Sequence, residues 1–332
     1  MKKQSKKFML AGVLLLAIAG LLALTSCKND SVPEPPSVPE QGTSVQEETW
    51  LQEQKKELEG KTEGTITAPS YLTKGGLVDL AKLLRDLPDG AQVDLDLSQA
   101  TGLTYIAAGT FIDCHTLQSV KLPSSVTEIG KYAFQHCSSL TEVTIPEGVT
   151  TIGASAFQYC TNLTEVTIPE GVTTIGASAF FDCRNLTEVT ILKGVITIGA
   201  SAFAYTGLTE VTIPAGVTNI EGFAFGGCTS LTEVTIPASV KTIETQAFYD
   251  CSNLNQVTIS EGVTTIGASA FYNCSNLTSV TFKETGGWRT KNPYDGAESP
   301  ESIDVSKPED NAMNLKNDAG QWYDKYLIRV ES

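Results

Sequence analysis

The chain has 332 residues, with 38 acidic against 23 basic side chains, a net charge of −15 and two histidines. That balance argues against nucleic-acid binding, which needs clustered lysine and arginine to meet phosphates. His115 and His136 stand without a GxSxG, HExxH or P-loop pattern, so neither catalysis nor a cofactor is expected.

The chain opens with Lys2, Lys3, Lys6 and Lys7, an apolar run over residues 8–24, and then Thr25, Ser26 and Cys27. A basic start, an apolar stretch and small residues before a cut site are the parts of an export signal. Leu24-Thr25-Ser26-Cys27 also resembles the lipobox of bacterial lipoproteins, which implies cleavage over residues 1–26 and acylation of the Cys27 thiol. The alternative is an uncleaved membrane helix, since the run is just long enough to span. Loss of the leader with its four lysines would leave 38 acids against 19 bases.

Residues 27–63 read as a lipidated cysteine and an extended tether. Pro33, Pro35, Pro36 and Pro39 favour stiff chain, and the polar residues 46–60 fit at most a short, frayed helix. Residues 64–90 read as an amino-terminal helical cap. Leu77, Leu80, Leu83, Leu84 and Leu87 make an apolar stripe at helical spacing after Thr73, and Pro88 stops it. A partner-docking helix is the other reading of that stripe.

From residue 91 to 282 a repeat dominates. Leucines fall at Leu117, Leu140, Leu163, Leu186, Leu208, Leu231, Leu254 and Leu277, each step being 23 residues except a 22-residue step from Leu186. A fixed period of this length marks a solenoid. Counted from its leucine, each repeat is apolar at positions 1, 4, 6, 10, 13, 17, 18 and 21, as in Leu140, Val143, Ile145, Val149, Ile152, Ala156, Phe157 and Cys160. The spacing predicts two short strands and a tight helical turn per coil. The pattern Leu-Thr-x-Val-Thr-Ile-Pro-x-x-Val-Thr-x-Ile-Gly-x-x-Ala-Phe-x-x-Cys resembles the BspA-like class of bacterial leucine-rich repeat. The resemblance implies a right-handed horseshoe with short parallel strands, displayed on a bacterial surface and concerned with adhesion to host proteins or other cells.

Cys114, Cys137, Cys160, Cys183, Cys228, Cys251 and Cys274 all sit at position 21. Their odd number and parallel direction favour buried thiols over disulfides, and without a CxxC no metal site is expected. Two surfaces stand out as candidate binding sites. Exposed strand positions line the concave face in leucine-rich solenoids; here they carry Glu142, Glu165, Glu188, Glu210 and Glu233 beside Thr144, Thr167, Thr190, Thr212 and Thr235. Such a glutamate row is either a tolerated solvated charge or a groove for a basic segment or divalent cations. The second surface is the variable corner at positions 19 and 20, with Tyr159, Phe181, Tyr205, Tyr249 and Tyr272. These rings are either a protein contact site or half-buried spacers.

Residues 283–332 read as a small α+β carboxy-terminal cap with a helix over residues 308–316 and strands over 302–306 and 322–330. Trp288 and Trp322 read as its lid, with a ligand site as the alternative. The expected function is adhesion to host extracellular-matrix or cell-surface proteins, or to other bacterial surface proteins, from an outer-membrane or cell-surface lipid anchor. A structural scaffold inside the envelope is the competing function.

Overall fold

The computed structural model describes residues 43–284, 286–291, 304–316 and 326–329, with nothing said of the Tyr326 side chain. The leader, Cys27, the tether up to residue 42 and Trp322 lie outside them. The described residues all belong to one compact unit.

Each repeat folds into one coil with two strand segments. The first segments are β2 (Gln92–Asp96), β4 (Leu117–Lys121), β6 (Glu142–Thr144), β8 (Glu165–Ile168), β10 (Glu188–Ile191), β13 (Glu233–Ile236), β15 (Gln256–Ile259) and β17 (Ser279–Phe282). Pairing is parallel with equivalent residues opposite one another, as Glu188 with Glu165 and Val189 with Val166. Alternation then buries Val166 and Ile168 and exposes Glu165 and Thr167. The second segments are two residues long: β3 (Tyr105–Ile106), β5 (Glu128–Ile129), β7 (Thr151–Ile152), β9 (Thr174–Ile175), β11 (Thr197–Ile198), β12 (Asn219–Ile220), β14 (Thr242–Ile243) and β16 (Thr265–Ile266). They pair without interruption along the repeats. The packing is close where coils cross: a Cβ on Gly176 would stand 2.5 Å from the backbone nitrogen of Ala154.

The third side of the coil was expected to be a helical turn. It is tight, but no helix forms there. Ser155 and Tyr159 both take left-handed backbone conformations, with φ of 54° and 62°, and the same two positions do so in every full coil. The alternation turns successive N–H groups in different directions. Ser155, Phe157 and Tyr159 donate to Ala177, Ala179 and Phe181 of the next coil at 2.8–2.9 Å, while Ala156, Gln158 and Cys160 close local turns at 3.1–3.2 Å. Every one of these amides is thereby satisfied, which a buried backbone requires.

Inside, Phe111, Phe134, Phe157, Phe180, Phe203, Phe225, Phe248 and Phe271 form one stack, fully buried. Neighbouring centroids are 5.1–5.5 Å apart and the planes diverge by no more than 9°. The seven repeat cysteines are buried free thiols. Cys160 donates its S–H to the Phe134 carbonyl at 3.1 Å, and Cys137, Cys183, Cys228, Cys251 and Cys274 make the same contact one coil along. In the 22-residue repeat Thr206 fills the cysteine position and its hydroxyl donates to the Phe203 carbonyl at 2.8 Å. The residue removed lies just beyond it, where Gly207 leads into Leu208. The coil that follows, residues 208–230, forms no first strand, and the first ladder breaks there between β10 and β13, as it also does between β6 and β8.

Both ends of the stack are covered. At the start, β1 (Glu63–Thr67) pairs in parallel with β2, and α2 (Lys74–Arg85) buries Leu77, Leu80, Ala81 and Leu84. Leu84 offers its carbonyl to the Thr116 hydroxyl at 2.7 Å, and Arg85 donates to the Thr110 carbonyl at 3.1 Å. The segment read as tether is structured from Ser44 onward. Helix α1 (Val45–Leu58) carries a complete capping box between Ser44 and Glu47 and buries Trp50 and Leu58 in the common core. At the far end β18 (Trp288–Lys291) and β19 (Tyr326–Arg329) form an antiparallel pair, and β19 also lies antiparallel to β16, ending that ladder. Of the expected 302–306 strand, the described residues 304–306 join no ladder. Helix α3 (Pro308–Lys316) sits on β17, where the Asn311 amide donates to the Val280 carbonyl at 2.9 Å. Trp288 is buried edge-on against Phe282, with ring centroids 5.0 Å apart.

Glu47 joins the two amino-terminal helices, accepting from the Ser44 backbone at 2.8 Å and the Thr73 backbone at 2.6 Å. Burial pushes its carboxyl up, but the hydrogen bonds from Ser44 and Thr73 outweigh this and hold it below its ordinary value. A depressed folded pKa stabilises above the unfolded value and is lost as pH falls through the folded one. Acidification through and below the ordinary glutamate value of about 4.3 is therefore expected to release α1 before the repeats unfold, read as solvent exposure of Trp50. Glu47→Gln should weaken the docking by about 1–3 kcal/mol at neutral pH and remove the acid step. An unchanged acid step in that variant would contradict this account.

Candidate functional site

The strand face follows directly from the ladder. Glu142, Glu165, Glu188, Glu210 and Glu233 are all exposed, as are Thr144, Thr167, Thr190, Thr212 and Thr235. Glu165 and Glu188 face each other as register partners, which puts their backbones about 4.8 Å apart. Ser119 precedes the row opposite Glu142, and Gln256 follows it opposite Glu233. Among the described residues the ion pairs are Arg184–Asp182, Lys193–Glu170 and Lys307–Asp310, so none neutralises a glutamate of the row. Among the same residues no three acidic, histidine or cysteine side chains converge on a metal position. Glu210 belongs to the coil without a first strand, yet Val211 and Ile213 remain buried and keep it facing outward.

Two threonine rows border this face. The hydroxyls of Thr164 and Thr187 donate to the carbonyls of Thr141 and Thr164, one coil back, at 3.3 and 3.5 Å. Thr150 and Thr173 repeat the contact on the other side of the proline turn at 3.2 and 3.3 Å. They bind coil to coil, whereas the glutamates only face solvent.

The corner rings form a connected row. His136 stacks on Tyr159 at 4.5 Å; Tyr159 meets Phe181 edge-on at 5.7 Å, and Phe181 meets Tyr205 edge-on at 5.4 Å. The row then passes through Phe223 to Tyr249 and Tyr272. The burial of these rings is uneven. Phe181 is buried and acts as a spacer, Tyr159, Tyr249 and Tyr272 are half-buried, and Tyr205 is 36 % exposed. Phe223 belongs to the row although it stands at repeat position 16. The available sign in the sequence was a large ring at a position that holds Ser201 in the repeat before and Gln246 in the repeat after. Of the two histidines, His136 is stacked in the row, its imidazole pushed down by burial, and His115 lies at the surface with its Nδ1 3.1 Å from the Ser138 hydroxyl.

Like charges in register repel by about 1 kcal/mol per adjacent pair even in water. Glu165→Gln, between two other glutamates, should leave the fold intact and raise its stability by up to about 1 kcal/mol at low salt. At molar salt, where the screening length is about 3 Å, the gain should vanish. Chemical denaturation at two ionic strengths checks this, and a loss of stability would mean that Glu165 has a favourable partner.

A family model described as the BspA type leucine-rich repeat region matches the chain in six copies, over residues 95–206 and 196–289. No curated protein matches it. Among solved structures it is similar to a leucine-rich repeat protein from Bacteroides ovatus, at 28 % identity over 59 % of this chain and 56 % of that one, with a TM-score of 0.48. A leucine-rich cell surface protein from Faecalibacterium prausnitzii is 28 % identical over 67 % of this chain and 69 % of its own, with a TM-score of 0.46. A T. pallidum leucine-rich repeat protein is 28 % identical over 56 % of this chain and 78 % of its own, at 0.42. The match thus spans little more than half of the Bacteroides ovatus protein. The family matches together cover more than half of the residues, and the chain belongs to the BspA type leucine-rich-repeat family.

Proposed function

We propose that this chain is a cell-surface binding protein, held to a membrane through acylated Cys27, whose strand face adheres to host matrix proteins or to proteins of other cells. The observation that carries this reading is the row of five exposed glutamates at one per coil, with no ion pair among the described residues. A rigid ladder presenting regularly spaced uncompensated charge favours a basic partner surface. It speeds encounter by steering and multiplies weak contacts through avidity, with no bond chemistry. Membership of a bacterial repeat family is consistent with a protein-interaction role. The reading of the anchor is supported by the lipobox-like Leu24-Thr25-Ser26-Cys27 after an apolar leader.

Two measurements test the two halves. The chain should bind immobilised matrix proteins saturably, with affinity that falls as salt rises. A variant with Glu142, Glu165, Glu188, Glu210 and Glu233 all changed to glutamine should bind at least tenfold more weakly. Equal binding by that variant would remove the strand face from the account. No binding to any matrix protein would favour a scaffold within the envelope. Separately, Cys27→Ala should shift the protein from the detergent phase to the aqueous phase in a temperature-induced partition, and an unchanged partition would sink the lipid anchor.

A further inference from the structure

The aromatic row is not uniform, and its irregularities coincide in one place. Residues 208–230 form the coil that lacks a first strand. Here Phe223 takes the left-handed conformation, with φ of 59°, at a position occupied by Ser201 in the coil before and Gln246 in the coil after. The conformation is that of this position in every full coil, Tyr132 included; Phe223 differs in adding a ring that joins the corner row. Gly226 and Gly227 follow. A Cβ on Gly226 would lie 2.4 Å from the Phe223 ring, and one on Gly227 would lie 2.4 Å from the Tyr205 ring. Both rings therefore rest directly on bare backbone.

The rings are also set apart at this point, although the tilts upstream, 80° for Tyr159 with Phe181 and 79° for Phe181 with Tyr205, are larger. Tyr205 and Phe223 are 5.6 Å apart and tilted by 58°; Phe223 and Tyr249 are 6.0 Å apart and tilted by 41°. Tyr205 is the most exposed ring of the row. Acidic groups flank it. Burial, then the charges on Asp250, Tyr249 and Asp182, push the Tyr205 phenol up. Asp182 is already held by Arg184 at 2.8 and 3.1 Å. Asp250 takes an amide hydrogen from Asn273 at 2.6 Å and has no ion pair among the described residues, so its negative charge is uncompensated.

We propose that the Tyr205, Phe223 and Tyr249 rings beside Asp250 form a recognition site for a lysine or arginine side chain of a partner protein. Ring faces attract a cation within about 6 Å. The alkyl stem of a basic side chain covers apolar surface while its head reaches a carboxylate. The flanking carboxylates repel an anionic ligand. The site rests on the protein-binding role proposed above, but it stands apart from the strand face and is tested apart from it.

The test titrates the full chain with acetyl-lysine methylamide, acetyl-arginine methylamide and choline, following tyrosine ring resonances by NMR. The variants are Tyr205→Asn and Asp250→Asn. Asn273 holds the same repeat position with φ of 60°, so asparagine fits the backbone at both sites. The blocked basic amino acids should bind with shifts centred on Tyr205 and Tyr249, and each variant should bind at least fivefold more weakly. The five-glutamine variant of the strand face should bind as the unaltered chain does. Unchanged binding in both asparagine variants would overturn the proposal, as would choline binding more tightly than acetyl-lysine methylamide. Loss confined to the five-glutamine variant would also overturn it and would place cation binding on the strand face.

Discussion

The interaction on which the structure depends is the hydrogen bond between equivalent residues of successive coils. A coil of 23 residues closes some of its amides in local turns, and the rest point along the stack, where the neighbouring coil meets them. That requirement fixes register, because a slip by one residue would turn every buried strand side chain to solvent. It also explains the identity of each coil to the next. Once the backbones are in register, Phe stacks on Phe, Cys bonds to the same carbonyl and Thr bonds to Thr. A phenylalanine that no single repeat can cover becomes fully buried; burying such a side chain is worth roughly 1.5–3 kcal/mol.

The same constraint makes the exposed rows. A side chain pointing outward in one coil points outward in all, so a glutamate copied five times becomes a line of charge whether or not a ligand is present. Its repulsion is tolerated because the buried side of each strand outweighs it. Where the copying lapses, the surface changes character. The deletion after Thr206 and the loss of glycine at position 14, where Glu221 instead accepts from the Ala200 amide at 2.8 Å, reshape one coil. The first ladder opens there, while the phenylalanine stack and the second ladder run through. Core continuity thus carries a local irregularity that the surface displays as the Phe223 and Gly226-Gly227 corner.

Much of this was legible in the sequence because a repeat states its own alignment. Period, strands, buried faces and the cysteine position follow from apolar spacing alone, as does the helix closed by Thr73 and Pro88. The left-handed corners were only partly legible: Ser155 and Tyr159 carry no mark of that conformation, although the recurring Asp182, Asp250 and Asn273 at the second corner position are residue types that tolerate it. Helix α1 was undervalued because its surface is almost wholly polar; the Ser44–Glu47 capping box was the available sign. Phe223 joins the aromatic row only in three dimensions, from a different repeat position than its neighbours. The binding surfaces were legible as exposed rows, since alternation determines exposure, but ring tilt and the diglycine floor depend on packing between coils.

Amide hydrogen exchange tests the central claim most directly. If register between coils holds the protein together, the N–H groups of Phe134, Phe157, Phe180, Phe203 and Phe225, each donating to the next coil at 2.7–2.8 Å, should exchange only through global opening. They should then share one protection level, well above that of Thr209–Ile213 amides in the strandless coil. Fast or coil-specific exchange of those phenylalanine amides under native conditions would contradict the account.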